Sequence, residues 1–241
     1  TGLSSIEISE AEKELIELIE EEIKSRFGVS VAIESMVKED LSKRKVRLPL
    51  YRSLIRMIEP EIVLIINSYN GRETFVEACR GEDTPVAELQ HGVISRYHMG
   101  YSFPGRNKNV FPDYFFSFGD FWSDSVDIPL PDERIYSVGY PYLETKVDEY
   151  AGARKRDKVV FISQGTVGER LSRFAQRRSK HQDGEEEVVY KMHPNEQASW
   201  EERYPWLVDS DVTVVGDNPQ LDQLLSEAKR QVGVYSTALY E

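Results

Sequence analysis

Cysteine is nearly missing from this chain: Cys79 is the only one in 241 residues. That excludes an internal disulfide and any zinc cage built from cysteines, and it fits a reducing compartment. Long apolar runs are missing too. The longest near the middle, Ile62–Ile66, is far too short to span a bilayer, and no signal-peptide pattern is present. The expectation is a cytoplasmic protein without a transmembrane segment, with peripheral association at the inner face of the membrane left open. Basic charge is in deficit: 30 Lys and Arg face 42 Asp and Glu, for a net charge of −12. Such a surface repels phosphate backbones, so nucleic acid is not an expected partner. The chain has no Walker sequence, no G-x-G-x-x-G fingerprint and no G-x-S-x-G elbow. It also shows no His/Asp/Glu spacing suited to a metal. The sequence begins at Thr1 and stops at Glu241 inside a helix-start pattern. It is therefore expected to be a fragment cut short at its C-terminus, with the N-terminus open to the same reading.

What remains is ordinary globular material, 40% hydrophobic and 30% charged, long enough for two modest domains. Residues 9–27 predict an amphipathic helix. Ser9 and Glu12 form a capping-box pattern, Ala11, Leu15, Leu18 and Ile23 make an apolar face, and Gly28 is a stop. A second helix is predicted to start near Pro49, to carry Leu50, Leu54, Met57 and Ile58, and to end before Pro60. Then short apolar runs take over: Ile62–Ile66, Val86–Leu89, Tyr114–Phe118 and Ile135–Val138, with a helix over Glu73–Arg80. Strands of this kind, buried on both faces and alternating with helices, predict a parallel sheet. The polar segment 151–157 marks the expected domain boundary, giving domains 1–150 and 151–241. The second series runs through strand Val159–Ile162, a helix to Lys180, strands Val188–Met192 and Val212–Val215, a helix over Leu221–Ala228 and strand Val232–Val234. The predicted fold class is α/β, with two Rossmann-like parallel-sheet domains.

In open α/β sheets ligands bind beyond the carboxyl ends of the strands. Four loops fall there: Gln90-His91-Gly92, Ser163-Gln164-Gly165-Thr166, Lys191-Met192-His193-Pro194 and Tyr235-Ser236-Thr237. His91 and His193 end strands of separate domains. Each can simply satisfy neighbouring backbone groups, but together they suggest a site. His98 and His181 lack such settings and read as structural. Gly165 allows close backbone approach before a helix start. Ser236 and Thr237 sit between a strand and an expected helix, where free N–H groups and hydroxyls suit a phosphate; the alternative is an ordinary N-cap. Glu241, one turn past Thr237, suits the two hydroxyls of a ribose, or equally a capping box.

Taken together these loops resemble the GT-B glycosyltransferase-like superfamily. The nearest members are the CDP-glycerol glycerophosphotransferases and the sialyl- and Kdo-type capsule transferases of bacteria. The resemblance spans residues 60–241 and rests on Gln90-His91-Gly92, Lys191-Met192-His193-Pro194 and Ser236-Thr237-Ala238-Leu239-Tyr240-Glu241, with Gly139-Tyr140-Pro141 closing the first domain. It implies that His91 is the general base on an acceptor hydroxyl. His193 and Pro194 would form the His-Pro element at the donor phosphate, Ser236 and Thr237 the phosphate-holding hydroxyls, and Glu241 the ribose carboxylate. Gln164, Gly165 and Thr166 complete the expected donor site. Two departures stand out. An aromatic residue usually precedes His-Gly, where this chain has Gln90, and Glu82-Asp83 lacks the glycine that follows the acidic pair of the sialyltransferases.

The implied function is metal-independent transfer of a sugar or polyol-phosphate from a nucleotide-activated donor to a hydroxyl acceptor. That acceptor would be lipid-linked or polysaccharide, in capsule or cell-envelope polymer synthesis, with no cofactor besides the donor. The two domains are expected to face His91 and His193 into one cleft. Two alternatives stay open. A UDP-N-acetylglucosamine 2-epimerase-like isomerase shares this fold, although the paired glycines and glutamates of its ribose site are absent here. The other is a non-catalytic nucleotide-sugar-binding protein.

Overall fold

A computed structural model describes residues 6–105, 108, 110–181 and 186–240. The chain forms two compact units, residues 1–138 and 139–241. The division comes before α5 (Pro141–Glu149), where the sequence reading had placed the boundary after it, at the polar 151–157 segment. Pro141 stands in the first turn of that helix, a position where its fixed φ and missing N–H cost nothing.

The first unit begins with two helices. Helix α1 (Glu10–Phe27) has the expected capping box between Ser9 and Glu12, and Gly28 closes it at φ 67°. Its apolar face is not covered: Leu15 and Leu18 are 58% and 63% exposed. Helix α2 (Ile33–Ile58) corrects the sequence reading, because Pro49 lies inside it and not at its start. An interior proline removes one backbone bond and costs roughly 3 kcal/mol. Two features offset that cost. Lys38 and Lys43 pair one turn back with Glu34 and Glu39, and α2 packs along α3 (Glu73–Gly81), where Arg44 pairs with Glu77 and Arg56 forks onto Glu82.

Strands β1 (Val63–Ile65), β2 (Val86–Leu89), β3 (Tyr114–Ser117) and β4 (Ile135–Ser137) form an all-parallel sheet in that order. The short helix α4 (Asp120–Asp124) lies between β3 and β4. One face is buried: Val63, Ile65 and Val86 pack with Ile55, Val76 and Cys79. Further along, Phe115 joins Ile94, Tyr101 and Phe111. The other face departs from the expectation of two-sided burial. Leu64, Tyr136 and the strand-flanking Ile66 and Val138 are all about half exposed. The alternating exposure of β1 is that of a strand with one covered face, although its sequence is apolar throughout.

The second unit adds β5 (Arg156–Ile162), α6 (Gly168–Lys180), β6 (Glu187–Lys191), the short helices α7 (Trp200–Arg203) and α8 (Pro205–Val208), β7 (Thr213–Val215), α9 (Leu221–Glu227) and β8 (Ala228–Val232). Its sheet is also parallel, ordered β7-β6-β5-β8, and it is covered on both faces. Val159, Phe161, Val188 and Tyr190 pack with Leu171, Ala175, Tyr204 and Leu207. Val160, Ile162 and Val189 pack with Leu224, Ala228 and Ala238. The last strand begins earlier than the predicted Val232–Val234. Among the described residues no helix is long and apolar enough to cross a membrane.

Candidate functional site

Strand order locates the crevice of the second unit. The chain builds outward from β5 through β6 to β7, then returns to place β8 on the other side of β5. The loops after β5 and β8 therefore diverge, which opens a switch-point crevice at the carboxyl edge of the sheet. A cleft of ≈ 670 Å³ lies there. Gln164, His193, Pro194, Ser236 and Thr237 of the predicted site line it. Gly165 and Thr166 do not; both are exposed at the head of α6, and the Gly165 carbonyl accepts from Arg203 instead. Glu241 lies outside the described residues.

Hydrogen bonds stitch the cleft's loops together. Gln164 Oε1 accepts the Tyr235 N–H at 2.9 Å, joining the ends of β5 and β8. Lys191 Nζ donates to the carbonyls of Gly216 and Pro219, joining β6 to the segment after β7. Burial lowers the Lys191 pKa, and Asp217 opposes that shift. Ser163 Oγ meets Tyr190 Oη at 2.8 Å beneath the cleft floor. Ser236 Oγ accepts the Ala238 N–H at 3.3 Å, which leaves its own proton free to be donated. The expected helix after Ser236-Thr237 is only the 3₁₀ turn Thr237–Tyr240 among the described residues.

His193 caps the turn Pro194–Ser199: its Nδ1 accepts the Asn195 N–H at 3.3 Å, and its own N–H donates to Glu196 at 3.1 Å. This network assigns the neutral ring a proton on Nε2, so His193 offers the cleft a donor. Glu196 is fully buried and also accepts the Tyr204 hydroxyl. Tyr142, Asp217, Gln220 and Asp222, which the sequence reading missed, also line the cleft, as does Tyr235. Most of them follow strand ends or open α9, so the strand-end rule could have found them. Tyr142, from α5, carried no such signal; its hydroxyl donates to Asp222 at 2.6 Å.

His91 belongs to the first unit, at the carboxyl end of β2. Gln90 is buried and holds the loop: its Oε1 accepts the Phe118 N–H at 2.8 Å, and its Nε2 donates to the Gly92 carbonyl at 2.9 Å. His91 itself is exposed, with its ring tilted 6.4 Å from the Tyr69 ring and its Nδ1 3.4 Å from the Tyr101 hydroxyl. Desolvation, then the charge of Arg72, lowers its pKa. His98, read as structural from the sequence, lies in the same cluster. Its ring stands 4.7 Å from Tyr101 and 5.3 Å from Tyr69, and its Nδ1 accepts the Gly100 N–H at 3.1 Å. Beneath them Glu88 is fully buried and accepts the Tyr101 hydroxyl at 2.5 Å. Among the described residues no three His, Cys, Asp or Glu side chains converge as metal ligands.

No family model matches the sequence, and no curated protein matches it either. Solved structures do match, by fold. A Listeria monocytogenes protein assigned as a UDP-N-acetylglucosamine 2-epimerase aligns with a TM-score of 0.53 at 15% identity, covering 80% of this chain and 57% of that one. The Methanocaldococcus jannaschii UDP-GlcNAc 2-epimerase, solved with UDP-GlcNAc and UDP, aligns at 0.51 and 12% identity, covering 80% and 60%. Staphylococcus aureus MnaA, solved with UDP, aligns at 0.50 and 14% identity, covering 80% and 58%. The chain thus spans less than two thirds of these structures, and its fold is of the GT-B type.

Proposed function

We infer that the second unit binds the nucleotide of a nucleotide-activated sugar, and that the chain is part of an enzyme acting on that sugar. The observation that carries this reading is the switch-point cleft, with Gln164, His193, Ser236 and Thr237 converging on it from three separate strand ends. Ser236, Thr237 and the Nε2–H of His193 supply donors for phosphate oxygens. Charge-assisted bonds of this kind are the strong ones. No metal is needed for that role.

Two chemistries start from such a substrate. Epimerisation at the sugar C2 is the first to test, because similarity of fold to UDP-GlcNAc 2-epimerases, some solved with UDP, supports it. Transfer to a hydroxyl of an envelope or capsule acceptor, lipid-linked or polysaccharide, is the second. It is favoured by His91, an exposed imidazole whose lowered pKa keeps it unprotonated and able to accept a proton near neutral pH.

Calorimetry with UDP, CDP, CMP, GDP and their sugar conjugates tests the binding. Ser236→Ala and Thr237→Ala should each cost about 1.5–3 kcal/mol of nucleotide affinity. Unchanged affinity in the double mutant removes these hydroxyls from the site, and no affinity for any nucleotide overturns the reading. Turnover in D₂O then separates the chemistries. Inverting C2 breaks its C–H bond, so epimerisation places deuterium there without an acceptor. Transfer releases nucleotide only when an acceptor is added. Binding with neither outcome marks a non-catalytic nucleotide-sugar-binding protein.

A further inference from the structure

The first unit buries a carboxylate where the general fold does not need one. Glu88 is the next-to-last residue of β2, fully buried, and registered between Ile65 and Phe115 on the packed face of the sheet. An aliphatic residue there would pack without desolvating a charge. At Oε1 the carboxylate accepts the buried Tyr101 hydroxyl at 2.5 Å, and Ser68 also acts to hold its charge. Burial and the charge of Glu88 drive the Tyr101 pKa far up, so this phenol keeps its proton. With that proton committed to Glu88, the phenol oxygen offers only lone pairs to its other neighbours, the Tyr69 hydroxyl and His91 Nδ1, the latter 3.4 Å away.

We propose that Glu88 and Tyr101 are positioning residues for His91. The Tyr101 oxygen accepts the Nδ1–H of the imidazole while its own hydroxyl donates a hydrogen bond to Glu88, so that His91 presents the bare lone pair of Nε2 to solvent. The chain of donors runs one way, from imidazole to phenol to carboxylate. It orients the ring of an exposed histidine and selects the tautomer that a base on a substrate proton requires. His98 supplies an internal contrast. Its Nδ1 already accepts the Gly100 N–H, so its proton sits on Nε2, 3.4 Å from the Tyr69 hydroxyl. Two histidines on neighbouring turns thus carry opposite tautomers.

What His91 acts on rests on the function proposed above, but its tautomer does not, and it is measured without turnover. The probe is ¹⁵N-labelled histidine in the full chain, read by long-range ¹H–¹⁵N correlation at pH 8. Burial raises the Glu88 pKa, so an alkaline pH favours its ionised form. The charged and titratable groups facing the pair are Arg72 and His98 toward His91, and Lys108 toward Glu88, with Tyr69 between them. The expected spectrum shows His91 protonated at Nδ1 and His98 at Nε2. Tyr101→Phe should abolish the Nδ1–H preference of His91 and leave His98 unchanged. Glu88→Gln, whose amide can turn a donor toward the phenol, should reduce that preference and gives a second reading if Tyr101→Phe does not fold. A wild-type His91 protonated at Nε2 overturns the proposal, as does a full Nδ1–H signal in a folded Tyr101→Phe. Absence of nucleotide turnover bears on neither result.

Discussion

The two units solve the same local problem with the same residue types and reach different chemistry. Each has a fully buried glutamate accepting a tyrosine hydroxyl close to a histidine that follows a parallel strand: Glu88 with Tyr101 near His91, and Glu196 with Tyr204 near His193. In the second unit the glutamate's other oxygen takes the backbone N–H of His193, and the imidazole caps its own turn. The network there fixes a loop and leaves a donor in the cleft. In the first unit the phenol reaches the imidazole ring itself, so the network acts on an exposed side chain. Strand order separates the units further. The second sheet reverses direction and opens a crevice, whereas the first runs β1 to β4 in sequence without a reversal among the described residues. Similar parts therefore line a cleft in one unit and hold an exposed imidazole in the other.

The two glycines beneath these networks offer the most severe way to break the comparison. A methyl group at Gly168 would overlap the Tyr204 hydroxyl and lie 2.6 Å from Glu196 Oε1. Both partners are fully buried, so neither can move aside. Gly168→Ala should cost about 3 kcal/mol, the upper end for overpacking, and loosen the His193 turn. At Gly100 the methyl would meet the Tyr69 ring at 2.6 Å, but Tyr69 is only partly buried and can yield. Gly100→Ala should cost about 1 kcal/mol. Thermal unfolding with hydrogen exchange mapped onto each unit checks the ranking, and a larger loss at Gly100 would mean that the second network is the more adaptable one.

Removing the phenols sharpens the contrast at smaller cost. Tyr204→Phe leaves Glu196 its bond from His193, so about 1 kcal/mol is expected. Tyr101→Phe deprives Glu88 of its specific partner at Oε1 and leaves a buried carboxylate underpaired, so about 2 kcal/mol is expected. Denaturant titrations giving equal losses would show that the first network carries no more electrostatic weight than the second.

Much of this was legible in the residues. Strand β2 and the start of α3 fall where the apolar runs put them, because short runs closed by polar turns have few other uses in an α/β chain. The strand-end rule pointed to Gln164, His193, Ser236 and Thr237, which line the cleft, and to His91 after the end of β2. Gly165 and Thr166 do not line the cleft, since a loop that starts a helix can turn away from the sheet edge. Pro49 misled because proline suits a first helical turn so well, while the pairing of α2 with α3 that holds it mid-helix is tertiary. Glu88 was missed for a related reason. A glutamate inside an apolar run reads as an outward-facing residue, and only the loop that brings Tyr101 over the sheet gives it a buried role.

The smallest effect expected is a pH dependence located in the first unit. Burial is the main cause lowering the pKa of both His91 and His98, so the folded state holds them neutral more strongly than the unfolded chain, where histidine titrates near ~6.5. A depressed folded pKa contributes stability that is present above ~6.5 and is lost as the pH falls through the folded value. Glu88 runs the other way, because its raised pKa lets the folded state regain stability as the carboxyl takes a proton. Glu77 and Glu82, held low by Arg44 and Arg56, lose stability on acidification only below their ordinary range near 4.5. Between pH 7 and 5.5 the histidines and Glu88 therefore act in opposite directions. Because His91 is exposed, the shift in unfolding midpoint should be small, on the order of 1 °C, with faster amide exchange at residues 98–101. His98→Asn, which can still accept the Gly100 N–H, should flatten the slope without collapsing the loop. A midpoint that rises on acidification across this window would place Glu88, and not the histidines, in control of the cluster's charge.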